Sequence, residues 1–66
     1  MKVVIVLNNK KMVVIENVKR VSHYVSVGGR SVTRISQYNG ITYNNIKQVN
    51  HIKYYDDEIH LITIEN

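Results

Sequence analysis

Cysteine, proline, tryptophan, phenylalanine and alanine are all missing from this 66-residue chain, and leucine occurs only at Leu7 and Leu61. Without cysteine there is no disulfide and no thiolate metal site. A domain this short buries only about 60% of the surface its unfolded chain exposes, and disulfides, metals or oligomerisation are its usual supplements. Of these, oligomerisation is the one left. No low-complexity or linker tract interrupts the chain, so residues 1–66 read as a single small β domain.

Long apolar runs are also absent. Val3-Val4-Ile5-Val6-Leu7 is the longest. It falls short of the roughly 7–15 residues of a secretory signal core and of the roughly 18 of a membrane-spanning helix. Asn8-Asn9-Lys10-Lys11 ends it without a small-residue cleavage site. The expectation is a cytoplasmic protein that does not enter a membrane.

Acidic residues are few and unevenly placed. Residues 1–53 carry all nine Lys and Arg and one acid, Glu16; residues 54–66 carry Asp56, Asp57, Glu58 and Glu65 and no Lys or Arg. A basic body of this kind attracts nucleic acid or other polyanions. Its candidate anion-binding residues are Lys10, Lys11, Lys19, Arg20, Arg30, Arg34, Lys47 and Lys53. Tyr24, Tyr38, Tyr43, Tyr54 and Tyr55 are the only aromatics. Tyrosines among cations on a sheet suit single-stranded nucleic acid, but these five are also the only bulky residues available to fill a core of Val and Ile.

What is present is mostly Val, Ile, Thr and Tyr, types that favour a pleated surface over a helix. No window places apolar residues at i, i+3, i+4 and i+7 over ten positions. The chain therefore predicts seven short antiparallel strands, over 1–7, 11–15, 22–27, 30–38, 41–43, 50–55 and 58–64. Asn8-Asn9, Gly28-Gly29, Asn39-Gly40 and Asp56-Asp57 provide turns, with Asn39-Gly40 read as a type I′ hairpin. Such a chain forms a small barrel or a two-sheet sandwich. The stretch Asn17-Val18-Lys19-Arg20-Val21-Ser22-His23 recurs in part 28 residues later as Asn45-Ile46-Lys47-Gln48-Val49-Asn50-His51. This predicts an internal duplication. Val18 and Val21, three apart, predict a one-turn 3₁₀ corner at 17–21, with its counterpart at 45–49.

No catalytic or cofactor-binding motif is present, so the chain is expected not to be an enzyme and to carry no cofactor. His23, His51 and His60 are the only imidazoles for a zinc site; repeat symmetry would hold His23 and His51 apart, and no metal is expected. More specific is the apolarity of both faces of the first, second and last strands. A second layer to cover the outer face is lacking in so small a domain, which points to a homo-oligomer, most simply a dimer. Its candidate interface is Val4, Val6, Val13, Ile15, Ile62 and Ile64.

The runs Lys10-Lys11-Met12-Val13-Val14-Ile15-Glu16-Asn17-Val18, Asn45-Ile46-Lys47-Gln48-Val49 and Tyr54-Tyr55-Asp56-Asp57-Glu58-Ile59 give the chain its pattern of apolar strands, Asn/Lys turns and an acidic last hairpin. In this it resembles the short all-β proteins encoded by phages and mobile elements of low-GC Gram-positive bacteria. That resemblance implies a non-catalytic oligomeric accessory protein that occludes or sequesters a host partner. The alternative is a β-barrel that binds nucleic acid or an anionic nucleotide through its basic surface.

Overall fold

The computed structural model describes all residues, Met1–Asn66. Six strands and one 3₁₀ turn follow in order: β1 (Lys2–Leu7), β2 (Met12–Ile15), β3 (Val18–Val25), β4 (Ser31–Tyr43), β5 (Ile46–Tyr55), the 3₁₀ turn Asp56–Glu58, and β6 (Ile59–Glu65). They form two three-stranded antiparallel sheets, β2–β1–β6 and β3–β4–β5. The chain crosses between them twice, at Glu16–Asn17 and through the 3₁₀ turn. Asn17 adopts a left-handed φ of 56°. Its carbonyl accepts from the Tyr38 N–H, and Met1 and Val18 exchange hydrogen bonds, which tie the corner to both sheets.

A thin apolar layer lies between the sheets. Val3, Ile5 and Ile15 from one sheet meet Val18 and Ile35 from the other, with Leu7, Val13, Val21, Ile52, Tyr54, Ile59 and Ile62 packed around them. Only eight of the 66 residues are buried. So small a core places stability at the low end of the usual range of about 5–15 kcal/mol.

Neither expected 3₁₀ corner forms; only the Asn at the head of each adopts turn geometry, and strand follows at once. The β3 register steps between Val18 and Arg20, so Lys19 is an extra residue in the ladder. Such a bulge puts two residues opposite one, which brings Val18 and Val21 to the same face at a spacing a regular strand forbids. The spacing of three thus reports a bulge rather than a helical turn. The recurrence survives as local geometry. Asn45 has φ 63°, close to Asn17, and β5 and β3 flank β4 on either side.

The hairpin turns divide. Gly29 takes φ 83° in the β3–β4 turn, as Gly28-Gly29 predicts. The β1–β2 turn runs through Asn8-Asn9, but its left-handed position is Lys10, at φ 70°. Asn39-Gly40 is not a hairpin turn. The predicted fourth and fifth strands are one long strand, β4, and the chain reverses at Asn44-Asn45, whose φ values of 50° and 63° fit the type I′ turn. Gly40, at φ 82°, sits in a wide bulge where Asn39, Gly40 and Ile41 face Gln48 alone. The Asn39 side chain accepts from the Ile41 N–H at 2.9 Å and closes the bulge. A β-branched residue resists this φ, so Gly40→Val should cost about 1–2 kcal/mol. In thermal circular dichroism that is a fall in Tm on the order of 10 °C for a domain of this size. An unchanged Tm would show that the bulge relaxes.

Candidate nucleic-acid interface

Alternation along the β3–β4–β5 sheet sorts its residues by face. The row Val21–Ile35–Ile52 packs into the core. The intervening rows point away from it: Arg20–Ser36–His51, Ser22–Arg34–Lys53 and Tyr24–Val32–Tyr55, with Tyr38 next along β4. Val32 lies outside the core cluster yet is buried, set between Tyr24 and Tyr55. The outward face therefore sets a band holding Arg20, Arg34 and Lys53 between Tyr38 at one end and Tyr24 and Tyr55 at the other.

Its electrostatics are one-sided. From Asn17 to Tyr55 the chain has six Lys and Arg and no acid. The remainder has three lysines against five acids. The division of charge thus follows the sheets more closely than the linear split at residue 53. Of the six cations, only Arg30 has a carboxylate partner. Its guanidinium lies 2.9 Å from Asp57 Oδ1 and 3.9 Å from Glu58 Oε1. It also stacks on the Tyr55 ring, 3.4 Å from the centroid. Arg34 stands over Tyr24 at 5.7 Å and the Lys47 ammonium over Tyr38 at 5.6 Å. These looser contacts leave Tyr24 and Tyr38, each a little over one-third exposed, as stacking surfaces. Arg34 Nε and Ser22 Oγ, opposite each other in register, are shielded and have no hydrogen-bond partner in the chain.

Not all eight candidate cations belong to this face. Arg20, Arg34 and Lys53 share it, Lys47 stands beside Tyr38, and Lys19 is the bulge residue of β3. Arg30 is held at its border by the acidic turn. Lys10 and Lys11 lie in the β1–β2 turn of the other sheet.

No comparison finds a relative: no family model, curated protein or solved structure matches the chain significantly.

The histidines separate. His23 Nδ1 lies 3.1 Å from the hydroxyl of buried Thr33, which itself donates to Asp56 Oδ1 at 2.6 Å. With that proton committed to the carboxylate, His23 Nδ1–H is the donor. This chain of bonds clamps β3 and β4 to the 3₁₀ turn. His51 Nδ1 meets the buried Ser36 hydroxyl at 3.0 Å on the opposite face, and His60 is on β6. No group of three or more His, Asp or Glu side chains is placed to hold a metal ion.

The other sheet turns a different surface outward. Register pairs Val4 with Val14 and Thr63, and Val6 with Met12 and Leu61. Met12 is 63%, Leu61 55% and Val14 50% exposed. Val4 and Val6 face outward with them. Val13, Ile15 and Ile62, expected at the interface, instead pack into the core. Ile64 shares the inner face of Val3 but lies half exposed at its edge. The register is the reason: the antiparallel ladder aligns even positions of β2 with even positions of β1, and Val13 and Ile15 with the buried Ile5 and Val3. No helix is long and apolar enough to cross a membrane.

Proposed function

We propose that this protein is a non-catalytic module that binds single-stranded nucleic acid on the outward face of its β3–β4–β5 sheet. The observation that carries this reading is the acid-free sheet presenting Arg20, Arg34 and Lys53 between Tyr24 and Tyr38. Cations along a groove or face track the phosphates, and aromatic rings stack bases of any sequence. Arg34 adds a guanidinium plane on which a base also stacks. We further read the two sheets as an incompletely closed barrel, hinged where the chain crosses between them.

The test is fluorescence anisotropy of labelled single-stranded DNA and RNA across a salt series. Log K should fall linearly with log salt with a slope of about −2, for three phosphates at about −0.7 each. No binding at low salt, or binding indifferent to salt, would remove the proposal.

The outward apolar set Val4, Val6, Met12, Val14 and Leu61 favours a second, compatible reading: self-association, most simply a dimer formed through the β2–β1–β6 sheet. Water-exposed apolar surface of this kind is unusual on a small monomer. Opposite charges sit side by side at one end of the face, where Lys2 pairs in register with Glu65, so a second copy finds both signs to meet its own.

A further inference from the structure

Beyond Tyr38 the outward face ends in a cleft of about 370 Å³. Asn17, Tyr38, Thr42, Lys47 and Gln48 line it, with Gly40 and the exposed Ile41 of the β4 bulge. Two backbone features already described create the space. The left-handed Asn17 carries the β2–β3 corner up against β4, held by the Tyr38 N–H on its carbonyl at 3.0 Å. One residue later the β4 bulge begins, and at Gly40 there is no side chain; a Cβ there would meet no atom within 4 Å.

The lining mixes apolar surface, from Ile41 and the Tyr38 ring, with directional polar groups. Gln48 Nε2 donates to the Ile46 carbonyl at 3.0 Å, which orients the amide and leaves Oε1 as an acceptor. The Asn17 side chain, exposed at the corner, offers a donor and an acceptor side by side. Tyr38 provides a ring, with the Lys47 ammonium over one of its faces at 5.6 Å and the other left to a base. A ring to stack on, an amide that both donates and accepts, a second acceptor and a cation together match a nucleotide. A volume at the lower end of the small-ligand range suits one base rather than several.

We infer that this cleft reads a single nucleobase, with a preference for adenine, in a strand lying on the face proposed above; the inference rests on that reading. Adenine presents an amino donor next to a ring-nitrogen acceptor, the pattern that an Asn or Gln amide pairs with bidentately. In the cleft the Asn17 amide takes that edge, Gln48 Oε1 accepts from the amino group, and Lys47 meets the adjoining phosphate. Bases elsewhere on the face stack without being read. This makes the protein a binder with one specific position in an otherwise sequence-tolerant footprint.

The experiment compares oligo(dA), oligo(dC) and oligo(dT) of equal length binding to wild type, Asn17→Gly and Lys53→Ala at low salt. Glycine at position 17 keeps the left-handed backbone and removes only the amide. Wild type should prefer oligo(dA) by roughly tenfold, within what one bidentate amide–base pair supplies. Asn17→Gly should abolish that preference and leave oligo(dC) and oligo(dT) binding unchanged. Lys53→Ala should weaken all three alike. Adenosine monophosphate should shift the backbone amide signals of Gly40 and Lys47 in wild type and not in Asn17→Gly. Equal wild-type affinity for the three oligonucleotides, or a preference that survives Asn17→Gly, overturns the base-reading cleft while the binding face stands. If wild type binds no oligonucleotide at all, the face and the cleft fall together.

Discussion

Ile5→Lys should leave the chain unfolded, while Val6→Lys, at the next residue of the same strand, should leave it folded and monomeric. Ile5 is fully buried between the sheets, among Val3, Ile15, Val18 and Ile35. Its removal forfeits about 1.5–3 kcal/mol of apolar burial. A lysine there must also bring its ammonium into a layer with no carboxylate, at several kcal/mol more. Together these match or exceed the stability available to a domain with eight buried residues. Val6 points the other way, toward Met12 and Leu61, where a long side chain reaches water; its loss should cost on the order of 0.5–1 kcal/mol. Far-ultraviolet circular dichroism separates the folded from the unfolded variant. Sedimentation velocity at tens of micromolar then tests association: wild type should run as a dimer and Val6→Lys as a monomer. A monomeric wild type would dismiss self-association, and a folded Ile5→Lys would mean that the core is misassigned.

The double variant Arg20→Glu/Lys53→Glu should lose single-strand binding by on the order of a hundredfold at low salt, with a shallower salt dependence. Both side chains are exposed and lie on the outward face, so the fold should tolerate the change. Reversing two of the three central cations removes two phosphate contacts and adds repulsion at the same place. The control is Lys10→Glu/Lys11→Glu, an equal change of net charge on the other sheet. If binding followed net charge alone, the two double variants would lose affinity equally. Unequal loss, with the larger at Arg20 and Lys53, locates the strand on the β3–β4–β5 sheet. Equal loss would refute that location.

Much of the proposed face is legible along the chain once its period is known. Arg20, Ser22 and Tyr24 alternate on β3; Val32, Arg34, Ser36 and Tyr38 on β4; His51, Lys53 and Tyr55 on β5. The acid-free interval from Asn17 to Tyr55 is the sharper signal. It is masked when charge is summed over residues 1–53, because Lys10 and Lys11 enter the same total although they sit on the other sheet. The cleft left no comparable trace. Asn17 and Gln48 are 31 positions apart, and their meeting depends on a corner and a bulge.

By itself the sequence determined the all-β class, through β-branched and aromatic residues without a helical period. It also determined the Gly28-Gly29 turn and an apolar surplus in the strands that became β1, β2 and β6. Only the tertiary structure decided which way that surplus faces. Val3 and Ile5 are no more apolar than Val4 and Val6, and the choice is made by the Val3–Ile15 and Ile5–Val13 register against Ile35 of the opposite sheet. The same core decided between two competent turns. Asn39-Gly40 and Asn44-Asn45 both accept positive φ, so local chemistry does not choose between them. A reversal at Asn39-Gly40 would set Ile35 opposite Asn44, whereas the reversal at Asn44-Asn45, together with the bulge, sets it opposite Ile52. Burying that isoleucine pair in the one core the chain has outweighs the cost of a bulge at Gly40, and a preference set by contact between residues 17 positions apart is not written in either dipeptide.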